Sequence, residues 1–184
     1  MNALIEYKDA LDNADVVFER AEILSAIDNM AKEISESYQD KNPILMAVMN
    51  GGLMITAHLA ERLDFPLEIQ YCHATRYRGE TSGQSDLQWP VKPSDSIKGR
   101  HVILVDDIYD EGDTLFGILE YLNGKCASVK TAMLLDKQHD RKSYPQLVID
   151  YVGLKCPDRY VFGFGMDYKN LGRNLPLIYA VKGL

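Results

Sequence analysis

Four consecutive apolar residues, Val102-Ile103-Leu104-Val105, run directly into Asp106 and Asp107 and then into Ile108-Tyr109-Asp110-Glu111-Gly112-Asp113-Thr114-Leu115. An unbroken apolar run of strand length has no polar face to give to water, which is the condition of a central strand in a parallel sheet. The carboxylates at its end then lie at the carboxyl edge of that sheet, where open α/β sheets keep their ligand crevice. Gly112 marks a turn and Thr114 is a candidate cap for the next helix. The turn predicts a phosphate site: backbone N–H groups of residues 110–114 would take the anion, and Asp106 and Asp107 would face sugar hydroxyls and a hydrated Mg²⁺.

The remainder of the chain repeats strand, turn and helix. Glu19 to Tyr38 spaces its apolar residues by three and four, the pattern of an amphipathic helix. Ile44 to Met49 reads as a short buried strand before Asn50-Gly51-Gly52, with a helix from Leu53 to Leu63. Leu67 to His73 and Ser128 to Leu135 read as further strands, and Leu115 to Leu122 as a helix. This alternation predicts an α/β fold: a mostly parallel twisted sheet with helices on both faces.

Residues 76–96, with Gly79, Gly83, Pro90 and Pro93, read as one long polar loop, and loops of that length in compact domains are commonly lids. The tail from Val148 carries short apolar runs split by Pro157, Gly163, Gly165 and Gly172, which predicts a small hood lobe from residues 148–184 and 1–15. The expected organisation is a single domain over 1–184, with its core at about 38–147 and a mobile active-site loop at about 76–96.

Composition narrows the function. Lys and Arg total 20 against 27 Asp and Glu, a net charge of −7, and no basic cluster interleaved with aromatics appears, so nucleic acid and acidic membrane surfaces are not expected partners. Three widely spaced cysteines form neither a disulfide framework nor a CxxC metal site, and they read as reduced thiols. Met1 to Asp15 lacks the basic start and apolar stretch of a signal peptide, and the expected location is the cytoplasm. The four histidines never fall at metal-ligand spacing and read as surface or packing residues.

The segment from Val102 to Leu115 resembles the 5-phosphoribosyl-1-pyrophosphate (PRPP) motif of type I phosphoribosyltransferases. Downstream, Leu134-Leu135-Asp136-Lys137, Pro157-Asp158-Arg159-Tyr160-Val161-Phe162-Gly163 and Asp167-Tyr168 with Arg173 resemble the hypoxanthine-guanine branch, a likeness that runs from about Val16 to Leu184. The resemblance implies transfer of phosphoribose to a 6-oxopurine base, giving IMP or GMP and pyrophosphate, by a Mg²⁺-dependent homodimer or homotetramer. By the same resemblance, Asp106, Asp107, Asp110, Glu111, Gly112, Asp113 and Thr114 bind PRPP and its 5′-phosphate. Asn50, Gly51 and Arg173 bind pyrophosphate, with a cis peptide between Met49 and Asn50. Lys137 donates to the purine O6, Tyr160 stacks on the ring, and the Val161 backbone and Asp167 meet the base edge. Asp106, Asp107 and Asp167 serve the metal, and Tyr77 belongs to the mobile loop that closes over the reacting centre.

Three positions depart from that family. Glu111 and Asp113 stand where it usually has Thr and often Lys, and Asn50 where it commonly has Lys or Arg. The acidic side chains are expected to point outward. Asp110 is the candidate acceptor of the purine N7 proton, with neighbouring acids expected to raise its pKa. A PRPP-sensing regulator with little turnover is the alternative within the same fold. A receiver-type signalling domain also pairs acids at a strand end with a later Lys, but the long loop and the purine-like tail do not fit it.

Overall fold

A computed structural model of the chain describes residues 2–76 and 87–183. The order of elements is α1 (Ala3–Asp12), β1 (Asp15–Phe18), α2 (Arg20–Tyr38), β2 (Ile44–Val48), α3 (Leu53–Ala60), β3 (Glu68–Arg76) and β4 (Leu87–Val91), then β5 (His101–Tyr109), α4 (Asp113–Leu122), β6 (Ser128–Lys137), β7 (Tyr151–Cys156), β8 (Val161–Phe162) and β9 (Ile178–Ala180).

Six strands form the main sheet in the order β4-β3-β2-β5-β6-β7, all parallel except β4. Residues alternate across it. Leu45, Ile103, Val105 and Leu134 face the core beneath α2 and α3, whereas Ile44, Met46, Val102 and Leu104 face the core beneath α4. A sheet covered on both faces explains why β2 is buried along its whole length and β5 through Val105. Helix α2 contributes Ile23, Ile27, Met30 and Ile34, each at most 2 % exposed, and burying a side chain of that size contributes about 1.5–3 kcal/mol.

Strands β1, β9 and β8 form a second, antiparallel sheet of three strands. The smaller lobe therefore starts after Cys156. Tyr151–Cys156, which the sequence places in the hood, instead pairs in parallel with β6 at the edge of the main sheet. The N-terminal contribution extends beyond residue 15 to Phe18, and α2 packs into the main core from Ile23 onward, ahead of the expected core boundary. Residues 87–96 are not loop throughout: β4 pairs antiparallel with β3, and Asp95–Ile97 forms a 3-10 turn. Tyr77 and residues 78–86 of the expected mobile loop lie outside the described residues. Among the described residues no helix is long and apolar enough to cross a membrane.

Candidate active site

Strand β2 ends at Val48 while its neighbour β5 continues to Tyr109, so the last residues of β5 project past the sheet centre. The connections after β2 and β5 leave by α3 and α4 on opposite faces, which opens a crevice at the carboxyl ends of these strands. A cleft of about 990 Å³ occupies this place. It is lined by Asn50, Gly51, Asp106, Asp107 and every residue from Asp110 to Thr114. Lys137, Tyr160, Val161, Asp167 and Arg173 close it from the side of β6 and the smaller lobe. Every described residue assigned to the site from the sequence thus lines one cleft, and Tyr77 lies outside the described residues.

The two acids lie within β5 rather than in the turn that follows it. Asp106 pairs with Met133 of β6, and its Oδ1 accepts the Asp107 N–H at 2.9 Å. Burial raises the pKa of Asp106 well above the usual carboxylate range, and the charge of Asp107 pushes the same way. Burial likewise raises Asp107, which is 8 % exposed, while Arg173 partly offsets it. Arg173 reaches Asp107 Oδ2 at 3.8 Å, forms an ion pair with Asp167 and donates to the Gly165 carbonyl at 2.6 Å. Two adjacent carboxylates line the cleft, and the one guanidinium near them, Arg173, is shared between Asp107 and Asp167, so negative charge is left over and a hard divalent ion with oxygen ligands fits the site. Among the described residues no three His, Cys, Asp or Glu side chains converge to hold a metal on their own. The remaining ligands would have to be substrate oxygens and water, as is usual for Mg²⁺.

The turn after β2 is built around the same carboxylate. The Met49–Asn50 peptide is cis, as the family resemblance implies. A Cβ on Gly51 would lie 2.1 Å from Asp107 Oδ2, so only glycine lets this turn pass beside the acid. On the other side of the cleft, Gly112 has φ +89° and is itself the N-cap of α4. Thr114 consequently sits inside the first helical turn and is not the cap. Helical geometry leaves the first N–H groups of α4 without helical acceptors, and they open onto the cleft at residues 113–115. Glu111 is exposed, as expected, whereas Asp113 is half-buried.

Asp110 differs from its expected state. Its Oδ2 accepts from Lys137 Nζ at 2.8 Å and its Oδ1 from His139 Nε2 at 2.6 Å. Burial alone would raise the pKa of Asp110, but the hydrogen bonds and charges of Lys137 and His139 outweigh it, and the net shift is downward. Neighbouring hydrogen-bond donors, not neighbouring acids, set its protonation. His139 was missed in the sequence because a lone histidine four positions before Ser143 carries no spacing signal; its offset of two from Lys137 at the end of β6 is the only available clue. His73 also lines the cleft. Tyr160 is 43 % exposed at the cleft rim, edge-on to Tyr168 at 5.7 Å between centroids, and its free face suits a flat ring.

A carboxyl-edge crevice with an acid pair, a helix N-terminus and a flat aromatic wall defines a site for a phosphorylated sugar and a planar base. Residues 14–170 match the model of the phosphoribosyl transferase domain. The chain is 37 % identical over 169 residues to the hypoxanthine-guanine-xanthine phosphoribosyltransferase of Tritrichomonas foetus, covering 91 % of each chain. It is 33 % identical to the hypoxanthine-guanine phosphoribosyltransferase of Streptococcus pneumoniae over 93 % of this chain and 94 % of that one. Among solved structures, the hypoxanthine phosphoribosyltransferase of Trypanosoma cruzi, in complex with its product IMP, superposes with TM-score 0.83 at 32 % identity, over 93 % of this chain and 96 % of that one. The hypoxanthine phosphoribosyltransferase of Staphylococcus aureus superposes with TM-score 0.86 at 29 % identity, over 99 % and 96 %. The chain belongs to the phosphoribosyl transferase family, in its hypoxanthine-guanine branch.

Proposed function

We propose that this chain is a purine-salvage enzyme that transfers the 5-phosphoribosyl group of PRPP to a 6-oxopurine, hypoxanthine or guanine, releasing IMP or GMP and pyrophosphate. The observation that carries the reading is the meeting of Lys137, Asp110 and Tyr160 in the same cleft as the acid pair and the α4 N-terminus. The base would lie on Tyr160, with its edge along the Val161 backbone and Asp167. Lys137 would exchange Asp110 for the purine O6, and Asp110 would accept the N7 proton. The 5′-phosphate would rest on the backbone N–H groups of residues 110–114, while Asp106 and Asp107 face the ribose hydroxyls.

A purine nitrogen forms the new bond to C1 of the ribose as the bond from C1 to the pyrophosphate oxygen breaks, through a transition state with oxocarbenium character. Arg173 would leave Asp167 for the departing pyrophosphate, next to the turn at Asn50 and Gly51. Mg²⁺, held by Asp106 and Asp107 and by a freed Asp167, would neutralise charge developing on the leaving group. A low pKa suits Asp110, because the proton acceptor must be ionised before the base arrives. Residues 1–184 would act as one domain, in the cytoplasm, where Cys72, Cys126 and Cys156 remain thiols. The exposed Ile69 and Tyr71 on β3 offer apolar surface that a second copy would cover in a homodimer or homotetramer. Mixing the protein with PRPP, Mg²⁺ and hypoxanthine and following IMP by ultraviolet absorbance tests the reading. Absence of nucleotide from a protein that binds PRPP would favour the regulatory alternative.

A further inference from the structure

The carboxylate of Asp110 is held asymmetrically. Its Oδ2 contacts Lys137, which lines the cleft, whereas its Oδ1 contacts His139, whose side chain is 2 % exposed and lies behind the cleft wall. The imidazole is itself oriented: His139 Nδ1 accepts the Arg141 N–H at 3.0 Å, which leaves Nε2 as the nitrogen that carries the proton. Arg141 is anchored in turn, because its guanidinium grips Asp158 through two hydrogen bonds of 2.6 and 2.7 Å. A chain of contacts therefore runs from the link between β7 and β8 through Arg141 and His139 to one oxygen of Asp110.

From this geometry we infer that His139 is a positioning residue for the proton acceptor: it fixes Oδ1 of Asp110 so that Oδ2 alone turns to the purine when Lys137 moves to O6. The inference rests on the assignment of Asp110 as the acceptor of the N7 proton. In the free enzyme Lys137 and His139 share the carboxylate. Once Lys137 has turned to the base, His139 is the remaining side chain bonded to it. A fixed N–H donor on Oδ1 favours the ionised carboxylate until the N7–H bond breaks and the O–H bond forms on Oδ2. The electron pair of the broken N–H bond stays on the ring, and no further reactant is needed.

The charged and titratable groups around Asp110 are Lys137 on β6, Cys156 on β7, His139 and Arg141 in the loop after β6, Asp158 beyond β7 and Asp136 behind them. Glu111 and Asp113 lie in its own turn. Of these, only Lys137 and His139 bond to the carboxylate.

The test is the single-turnover rate of IMP formation against pH, from about pH 3 to about pH 7, at saturating PRPP and Mg²⁺, for wild type, His139→Leu, His139→Gln and Asp110→Asn. Losing a hydrogen bond to an ionised group raises its pKa by about one unit or more, so His139→Leu should move the acid limb up by that amount. On the acid side its rate should fall roughly tenfold, with the KM for PRPP unchanged. Glutamine places an amide N–H near the position of Nε2, and His139→Gln should return the limb toward that of wild type. An unshifted limb in His139→Leu overturns the inference, even if that variant melts earlier and is slower at every pH. So does a limb in His139→Gln that stays with that of His139→Leu. Wild-type rates in Asp110→Asn would instead overturn the role of Asp110 itself.

Discussion

Gly51→Ala isolates the contact on which the cleft is built. The new methyl would stand 2.1 Å from Asp107 Oδ2, 2.5 Å from its Cγ and 2.9 Å from its Oδ1, so it meets the whole carboxylate and not one movable oxygen. No rotation about the Cβ–Cγ bond clears all three contacts, and either the side chain leaves its rotamer or the turn moves. Overpacking of this kind costs about 1–3 kcal/mol, which for a chain of this size lowers Tm by roughly 2–12 °C. Function should suffer more than stability, because a reacting group displaced by about 1 Å costs on the order of 10²-fold. The expected result is a Tm loss in that range by calorimetry and a fall of about 10²-fold in kcat/KM for PRPP. Asp107→Ala in the same chain removes the clash, so the double variant should recover most of the lost Tm and none of the activity. A Gly51→Ala protein with wild-type Tm and wild-type kcat/KM would refute the proposed packing of the turn against Asp107.

Three further outcomes follow from the site. Asp110→Asn should lower kcat by roughly 10²–10⁴-fold while calorimetric PRPP binding stays near wild type, and an unchanged kcat would remove Asp110 from the mechanism. Activity should vanish in excess chelator and return with added Mg²⁺ or Mn²⁺, and full turnover without divalent ions would exclude the role given to the acid pair. Burial holds Asp106 protonated in the folded state at pH values where the unfolded chain has lost that proton, so its contribution turns against folding as pH rises from about 4 through the raised pKa. Asp106→Asn should therefore raise the Tm of the ligand-free protein at neutral pH, by an amount that shrinks on acidification, and a lower Tm at neutral pH would contradict that sign.

The parts of this molecule that were legible in the sequence are those where one physical constraint acts alone. Burial on both faces writes itself as an unbroken apolar run, which is why β2 and the first half of β5 are readable. The three-and-four spacing of α2 is readable because one helix face meets the sheet. Strand β4 was not, because it is a sheet edge with Pro90 inside it and only partial burial of Leu87 and Trp89. Helix α1 buries no residue and so carries no periodic stripe; Asn2, whose Oδ1 accepts the Leu4 N–H, is its one local signal. The hood boundary failed for a related reason. Tyr151–Cys156 is a short edge strand of mixed burial, and its pairing with β6 is a long-range fact that no local pattern records. In the site, charge alone misled: the acids in the turn suggested a raised pKa at Asp110, whereas Lys137 and His139, 27 and 29 residues away, decide it.

The choice of base is the central claim, and Lys137 is where it can be measured. Nζ of Lys137 offers only donors, so an oxygen at C6 of the purine completes a hydrogen bond, whereas the amino group of adenine sets donor against donor in the cleft that Lys137 lines. A site built to bond one group rejects an analogue lacking it by about 10⁴-fold in kcat/KM. The decisive measurement is kcat/KM for hypoxanthine and for adenine, with saturating PRPP and Mg²⁺, in wild type and in Lys137→Met. Wild type should prefer hypoxanthine by about 10⁴-fold, and Lys137→Met should lose most of that preference by losing hypoxanthine efficiency. Comparable wild-type efficiencies for the two bases would contradict the 6-oxopurine assignment.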